Sequence, residues 1–361
     1  MSESAFDTIL PADSVEFCPH PDILDVLVCG TYKLEEASPR TTLSSEEIST
    51  NPLVSQQSRR GKCFVFQVES SLSTGERGLI QTQAFDLPAI TDMKWRHSTT
   101  AILGVADSEG NITLHEWQEA TRSLYPVDAI RCASPDILCL SIDWSNRRTP
   151  GNDLGSMIVS LSNGSLCLLC PRDARGLSLS SSWHAHDNEP WVAAWNYWDT
   201  NVVYSGGDDL KMKSWDIRLD CSRPLFVNKR FDAGVTSIQS NPHVEHLLAV
   251  GSYDNKVKLF DSRNPFIPLT EIDVGGGAWR VKWHPCSARK NDLLVACMHD
   301  GFKVINFLLD HDNVQGEIVK RFDAHESLAY GADWSFSPYE NGKTLIATCS
   351  FYDHKLQLWD A

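Results

Sequence analysis

Three stretches in the second half of the chain share one distribution of apolar and polar positions. They are Ser205-Gly-Gly-Asp-Asp209-Leu-Lys-Met-Lys-Ser-Trp-Asp216, Ser252-Tyr-Asp254-Asn-Lys-Val-Lys-Leu-Phe-Asp261 and Ser350-Phe-Tyr-Asp353-His-Lys-Leu-Gln-Leu-Trp-Asp360. In each, an apolar run reaches a Ser and turns at an Asp. Apolar and polar positions then alternate over one short strand, which closes on an aromatic followed by Asp. Alternation with period two puts successive side chains on opposite faces of a strand. A unit of three or four such strands cannot bury both faces alone, so its repetition predicts a ring of stacked sheets.

Working outward from these stretches, the alternation divides the chain into seven blades. The first takes Ser14 to Phe17, Asp25 to Tyr32, Lys62 to Glu69 and Gly78 to Phe85. The second starts at Ile90, the third uses Ile137 to Trp144, Met157 to Leu161 and Ser165 to Cys170, and the fourth runs from Trp191 to Trp215. The fifth runs from Val235 through Phe260, the sixth from Ala278 through Phe307, and the seventh from Tyr330 to Asp360. Trp95, Trp144, Trp195, Trp283 and Trp334 mark the ends of inner strands, about 45 to 50 residues apart or a multiple of that. The units are WD-type repeats. The expected fold is all-β: a single seven-bladed WD-repeat β-propeller over residues 1–361. Its last blade runs out of chain after three strands, and an exposed edge demands a partner. Ser4 to Leu10 has strand-like alternation and is expected to supply the fourth strand, closing the ring. Residues 35–60, rich in Ser, Thr and Glu without periodicity, are expected to form a disordered loop inserted in blade one.

Composition narrows the function classes. A net charge of −15 over 361 residues argues against direct nucleic-acid binding, which needs a basic surface, and favours cationic partners. The eleven cysteines lie mostly in apolar runs, where a thiol packs as a small hydrophobe. With no leader pattern and no long apolar run, the expected setting is the reducing cytoplasm, as a monomer without membrane insertion. Phosphate-loop, nucleophile-elbow and His-Glu-x-x-His motifs are absent. Cys167 and Cys170 have the spacing of a metal hook, but on a strand they point to opposite faces, so neither a metal nor any other cofactor is expected.

The repeat also sorts scaffold from remainder. Buried polar groups must satisfy one another, and in WD blades a His, a Ser or Thr, the turn Asp and the strand Trp commonly do so. His186, Ser205, Asp209 and Trp215 fit that role in blade four; His325, Ser350, Asp353 and Trp359 fit it in blade seven. Blade six lacks the His and the Trp, with Gly275-Gly-Gly-Ala-Trp279-Arg280 as its approach and Cys297-Met-His299-Asp300-Gly-Phe302 as its turn. Groups the scaffold does not require are the better functional candidates. One rim is expected to gather Tyr253, His299, Asp300, Tyr330, Tyr352 and His354, beside Trp279 and Arg280.

Tyr204 to Asp216, Gly251-Ser-Tyr-Asp254, Trp279-Arg-Val-Lys-Trp-His-Pro285, Ala296-Cys-Met-His-Asp-Gly-Phe-Lys303, Tyr330-Gly-Ala-Asp-Trp334 and Cys349-Ser-Phe-Tyr-Asp-His354 together resemble the WD-repeat methylesterase family of the diphthamide pathway. The resemblance covers blades four to seven in detail. It implies hydrolysis of the methyl ester of methylated diphthine, a modified histidine on translation elongation factor 2, to diphthine and methanol. Trp279, Tyr253, Tyr330 and Tyr352 are then candidates to hold the trimethylammonium group by cation–π contact. Water attack needs a base and a group to meet the oxyanion. His299 oriented by Asp300 is the candidate base, and Arg280 or His354 the oxyanion partner. Ser252 and Cys297 are weaker candidates for a covalent route. The rival readings are a non-catalytic adaptor for trafficking or ubiquitin-ligase assembly, and a reader of methylated peptides.

Overall fold

A computed structural model describes residues 5–35, 58–70, 77–148, 151, 153–310, 313–338 and 342–361. Its strands form seven antiparallel sheets arranged as a β-propeller, each with its inner strand toward the axis. The inner strands are Ala12–Phe17, Ile90–Trp95, Cys139–Trp144, Val192–Trp195, Val235–Ser240, Arg280–Trp283 and Ala329–Trp334. Most of the inserted segment expected at 35–60 lies outside the described residues. On its flanks, Lys33 and Leu34 pair with Arg60 and Arg59, so the third strand of blade one begins at Arg59 rather than Lys62. Among the described residues no helix is long and apolar enough to cross a membrane.

Second strands such as Leu247–Ser252 are buried throughout, because both faces meet a neighbouring blade, whereas the outer strand Leu177–His184 exposes most of its residues. The apolar residues accordingly form seven clusters, one at each junction between consecutive blades. Among the described residues no apolar cluster lies on the axis. Cys167 belongs to the junction of blades two and three and Cys170 to that of blades three and four, on opposite faces of one strand.

Four of the five spaced tryptophans clip blades together, and the Trp95 indole nitrogen has no hydrogen-bond partner among the described residues. The indole N–H of Trp144 donates to Lys94 O (3.0 Å), Trp195 to Asp143 O (3.1 Å), Trp283 to Gln239 O (3.2 Å) and Trp334 to Lys282 O (2.9 Å), each reaching the preceding inner strand. Closure follows the expected route over a shorter span. Ala5–Asp7 pairs antiparallel with Gln357, Leu356 and Lys355, and Phe6 packs edge-on against Phe64 and Phe66 of blade one.

Candidate functional site

A cavity lies at one end of the inner strands. In five blades the pairing of inner and second strands slips by one residue near the start, at Asp13, Thr91, Leu140, Thr236 and Tyr330. A β-bulge re-aims a side chain, and all five of these extra residues line one cavity of about 520 Å³. Blades four and six have no slip, and there the residues just before or at the strand start, Trp191, Trp279 and Arg280, line the same cavity.

One wall is a chain of touching rings. Trp279 stacks on Tyr330 at 5.0 Å between centroids, Tyr330 meets Phe351 at 5.1 Å, and on the other side Trp279 meets Trp191 at 5.5 Å and Tyr253 at 5.9 Å. Trp191 is fixed by its indole N–H donating to Asp208 Oδ1 at 2.7 Å. The Trp279 indole nitrogen is buried with no hydrogen-bond partner among the described residues.

The floor is ionic. Arg280 pairs with Asp92 at 3.1 Å, and Asp92 also receives Lys94 at 2.8 Å and the Ile142 N–H at 3.0 Å. Deeper along the same strands, Glu16 accepts Lys94 at 2.8 Å and Lys282 at 2.6 Å, and Lys282 reaches Asp333 at 3.2 Å. This network crosses the axis between blades one, two, six and seven and gives the cavity a base. Asp13 lies at its edge. Burial raises its carboxyl to about 7 against the pull of Arg280, with nearby Asp92 pushing the same way as burial. Asp92 and Glu16, in contrast, are buried yet held below the ordinary carboxylate range by their cationic partners.

The structure divides the sequence candidates. Trp279, Tyr253, Tyr330 and Arg280 line the axial cavity. His299, Asp300 and Tyr352 line a different groove of about 650 Å³ between blades six and seven, and Tyr352 is 69% exposed. His354 lines neither; it sits in the last turn of blade seven at φ 58°, its carbonyl accepting from Thr8 N–H at 2.8 Å. The expected single centre around His299 is thus two places: the residue directly after a second strand, Tyr253 in blade five or Phe351 in blade seven, still faces the axis, whereas His299 and Asp300, three and four residues past Ala296, and Tyr352 lie in the groove between blades.

Asp300 has a structural occupation. Lys213, Lys258 and Lys303 hold one position in blades four, five and six, each donating to a carbonyl of the preceding connection, of Ala185, Arg230 and Val274. Each also pairs with its own turn Asp: Asp209 at 3.7 Å, Asp254 at 3.1 Å and Asp300 at 2.5 Å. Asp300 further takes Arg321 at 2.8 Å. Blade six therefore keeps the repeat's Asp–Lys element, and its departure narrows to Trp279 and Arg280. Ser252 is fully buried, and burial pushes the Cys297 thiol up to about 12, which disfavours either as a nucleophile.

Both polar sets assigned to scaffold are assembled, with one difference. His186 meets Asp209 at 2.8 Å and Ser205 at 2.7 Å, and Trp215 donates to Ser205 at 3.0 Å. In blade seven His325 meets Ser350 at 2.5 Å and Ser350 bonds Asp353, but Trp359 stacks on Phe322 instead and its indole nitrogen has no partner among the described residues. The glycine run of blade six serves close packing: a Cβ on Gly276 would lie 2.1 Å from Cys297 O.

A family model for the WD domain, G-beta repeat, matches residues 224–261. Proteins named diphthine methyltransferase align along nearly the whole chain. The mouse protein is 40% identical, covering 92% of this chain and 69% of its own, and the human protein 40% identical, covering 91% and 74%. The chain belongs to the diphthine methyltransferase family. A homologue from Dictyostelium discoideum is 34% identical over 96% of both chains. A chain in a crystal structure of the mitotic checkpoint complex superposes with TM-score 0.67 at 15% identity, covering 99% of this chain and 90% of that one, which speaks to the fold alone.

Sequence reasoning missed Asp13, Trp191 and Phe351 as cavity residues. Trp191 precedes its strand as Trp279 does, and that correspondence was a usable signal. Asp13 had none, since a bulge leaves no mark in so short a strand as Ala12-Asp-Ser-Val-Glu-Phe17.

Proposed function

We propose that the protein is a carboxylic ester hydrolase that converts methylated diphthine on translation elongation factor 2 to diphthine and methanol. The observation that carries this reading is the aromatic wall of Trp191, Tyr253, Trp279 and Tyr330 over a floor holding Arg280. A trimethylammonium group against such rings gains roughly 0.5–2 kcal/mol, and Asp13, Asp136 and Glu189 around the same cavity add negative potential. The ester, a few bonds away on the same side chain, then reaches the floor, where Arg280 offers positive charge to a developing oxyanion. The family's name points instead to methyl transfer, but the glycine run that would have to cradle a donor is filled by Cys297 O and Met298. A translation-factor substrate makes the cytoplasm the expected compartment.

The test incubates purified protein with elongation factor 2 bearing methylated diphthine and follows the modified peptide by mass spectrometry. The expected result is conversion of ester to free acid with an equal amount of methanol. Trp279→Ala should raise KM about tenfold by removing the central ring, within the range of one desolvated cation–π contact. Binding without turnover would favour the adaptor or reader alternatives.

A further inference from the structure

We propose that Asp13 is the general base of this hydrolysis and that Asp92 positions Arg280 to meet the oxyanion, an assignment that rests on the esterase reading above. Asp136 and Glu189 stand at the exposed mouth of the cavity, and the other buried acids along the axis are committed. Asp143 accepts the Trp195 N–H at 2.8 Å, Asp333 the Phe17 N–H at 2.8 Å, Asp92 the Ile142 N–H at 3.0 Å, and Glu16 holds two lysines. Asp13 sits on a bulge that turns it into the cavity, and among the described residues its carboxylate makes no hydrogen bond. A buried carboxyl that titrates near neutrality, uncommitted and beside a fixed cation, is what activation of water requires.

The groups facing it come from every neighbouring blade. They are Arg280 from blade six, Asp92 from blade two, Tyr330 and Cys349 from blade seven and Tyr253 from blade five, with Arg59 of blade one on the cavity wall. Burial lifts its pKa to about 7. In the step itself, water oxygen bonds the ester carbonyl carbon as Asp13 takes one of its protons, and the carbonyl π pair moves onto oxygen opposite Arg280. Collapse breaks the carbon–methoxy bond. The methoxy oxygen leaves with the proton held on Asp13, giving methanol, free acid and the original carboxylate. No other reactant is consumed.

The experiment compares wild type with Asp13→Asn and His299→Ala on the same substrate protein, with kcat and KM measured from about pH 5.5 to 8.5 and folding checked by thermal melts. For wild type, kcat/KM should rise about tenfold per pH unit below neutrality and level off above about 7. Asp13→Asn should lower kcat about 100-fold or more with KM changed less than about threefold, and should abolish the inflection. A flat wild-type profile overturns the assignment without needing any variant. So does an Asp13→Asn protein that keeps more than about a tenth of kcat, or loss of turnover confined to His299→Ala. A wild type that never hydrolyses the ester sinks the esterase reading itself.

Discussion

At the scale of residues, position along the axis decides chemistry more than residue type does. Asp13 and Asp92 are both buried aspartates near Arg280, yet burial raises the first while direct cationic contacts lower the second. The raised value has a stability consequence with a definite sign. Between the ordinary value of 3.8 and about 7, folded Asp13 keeps a proton that the unfolded chain has released. Its contribution is therefore fully present below about pH 4 and is lost as pH rises through 7. Asp13→Asn should be more stable than wild type at alkaline pH, by at most about 4 kcal/mol, with the difference vanishing in acid. Urea melts at both pH values would show it. Asp300 is the reverse case: a turn carboxylate beside an unexplained histidine suggested catalysis, but its charge is spent on Lys303 and Arg321.

At the scale of elements, the cavity depends on departures from regular pairing. Alternation locates a strand, but it carries no information on where one extra residue bulges, because the slip changes hydrogen bonding and leaves the apolar order intact. Ring closure is the opposite situation. The fourth strand of blade seven was legible from the three strands counted in that blade and the alternation in Ser4 to Leu10, and the edge it covers demanded a partner. Among the described residues three pair as a strand, with the Thr8 N–H to His354 O beyond them, and the Phe6 ring against Phe64 and Phe66 carries the apolar part of the closure. Phe6→Ala should cost about 2–3 kcal/mol, somewhat below the usual loss for a fully buried Phe because Phe6 is only half-buried. A lower urea midpoint with unchanged slope would confirm it.

At the scale of the whole molecule, seven apolar junctions surround a polar axis, and the axis is locked by charges from four blades. Glu16 is the hub, joining Lys94 of blade two to Lys282 of blade six across the ring. Glu16→Gln leaves two buried ammonium groups short of a counter-charge and should destabilise by about 3 kcal/mol, the low end for a broken buried pair because each lysine keeps a second acid. Its effect should shrink as pH falls and Glu16 itself protonates, since a depressed carboxylate gives up its contribution in acid.

What the sequence determined by itself is the repeat: strand periodicity, blade number, the clipping tryptophans and the terminal closure are all local patterns or simple counts of strands. Blade six was legible as a departure for the same reason, and Trp279 and Arg280 do line the cavity. The tertiary structure decided which departures share a space. It placed Arg280 on the axis and His299 in an outer groove, and brought Asp13 from the inner strand of blade one to the same cavity as Tyr330 and Trp279 from the last blades. Closing a ring sets residues hundreds of positions apart against one another, and which of them face the axis depends on bulges that the order of apolar and polar residues does not encode.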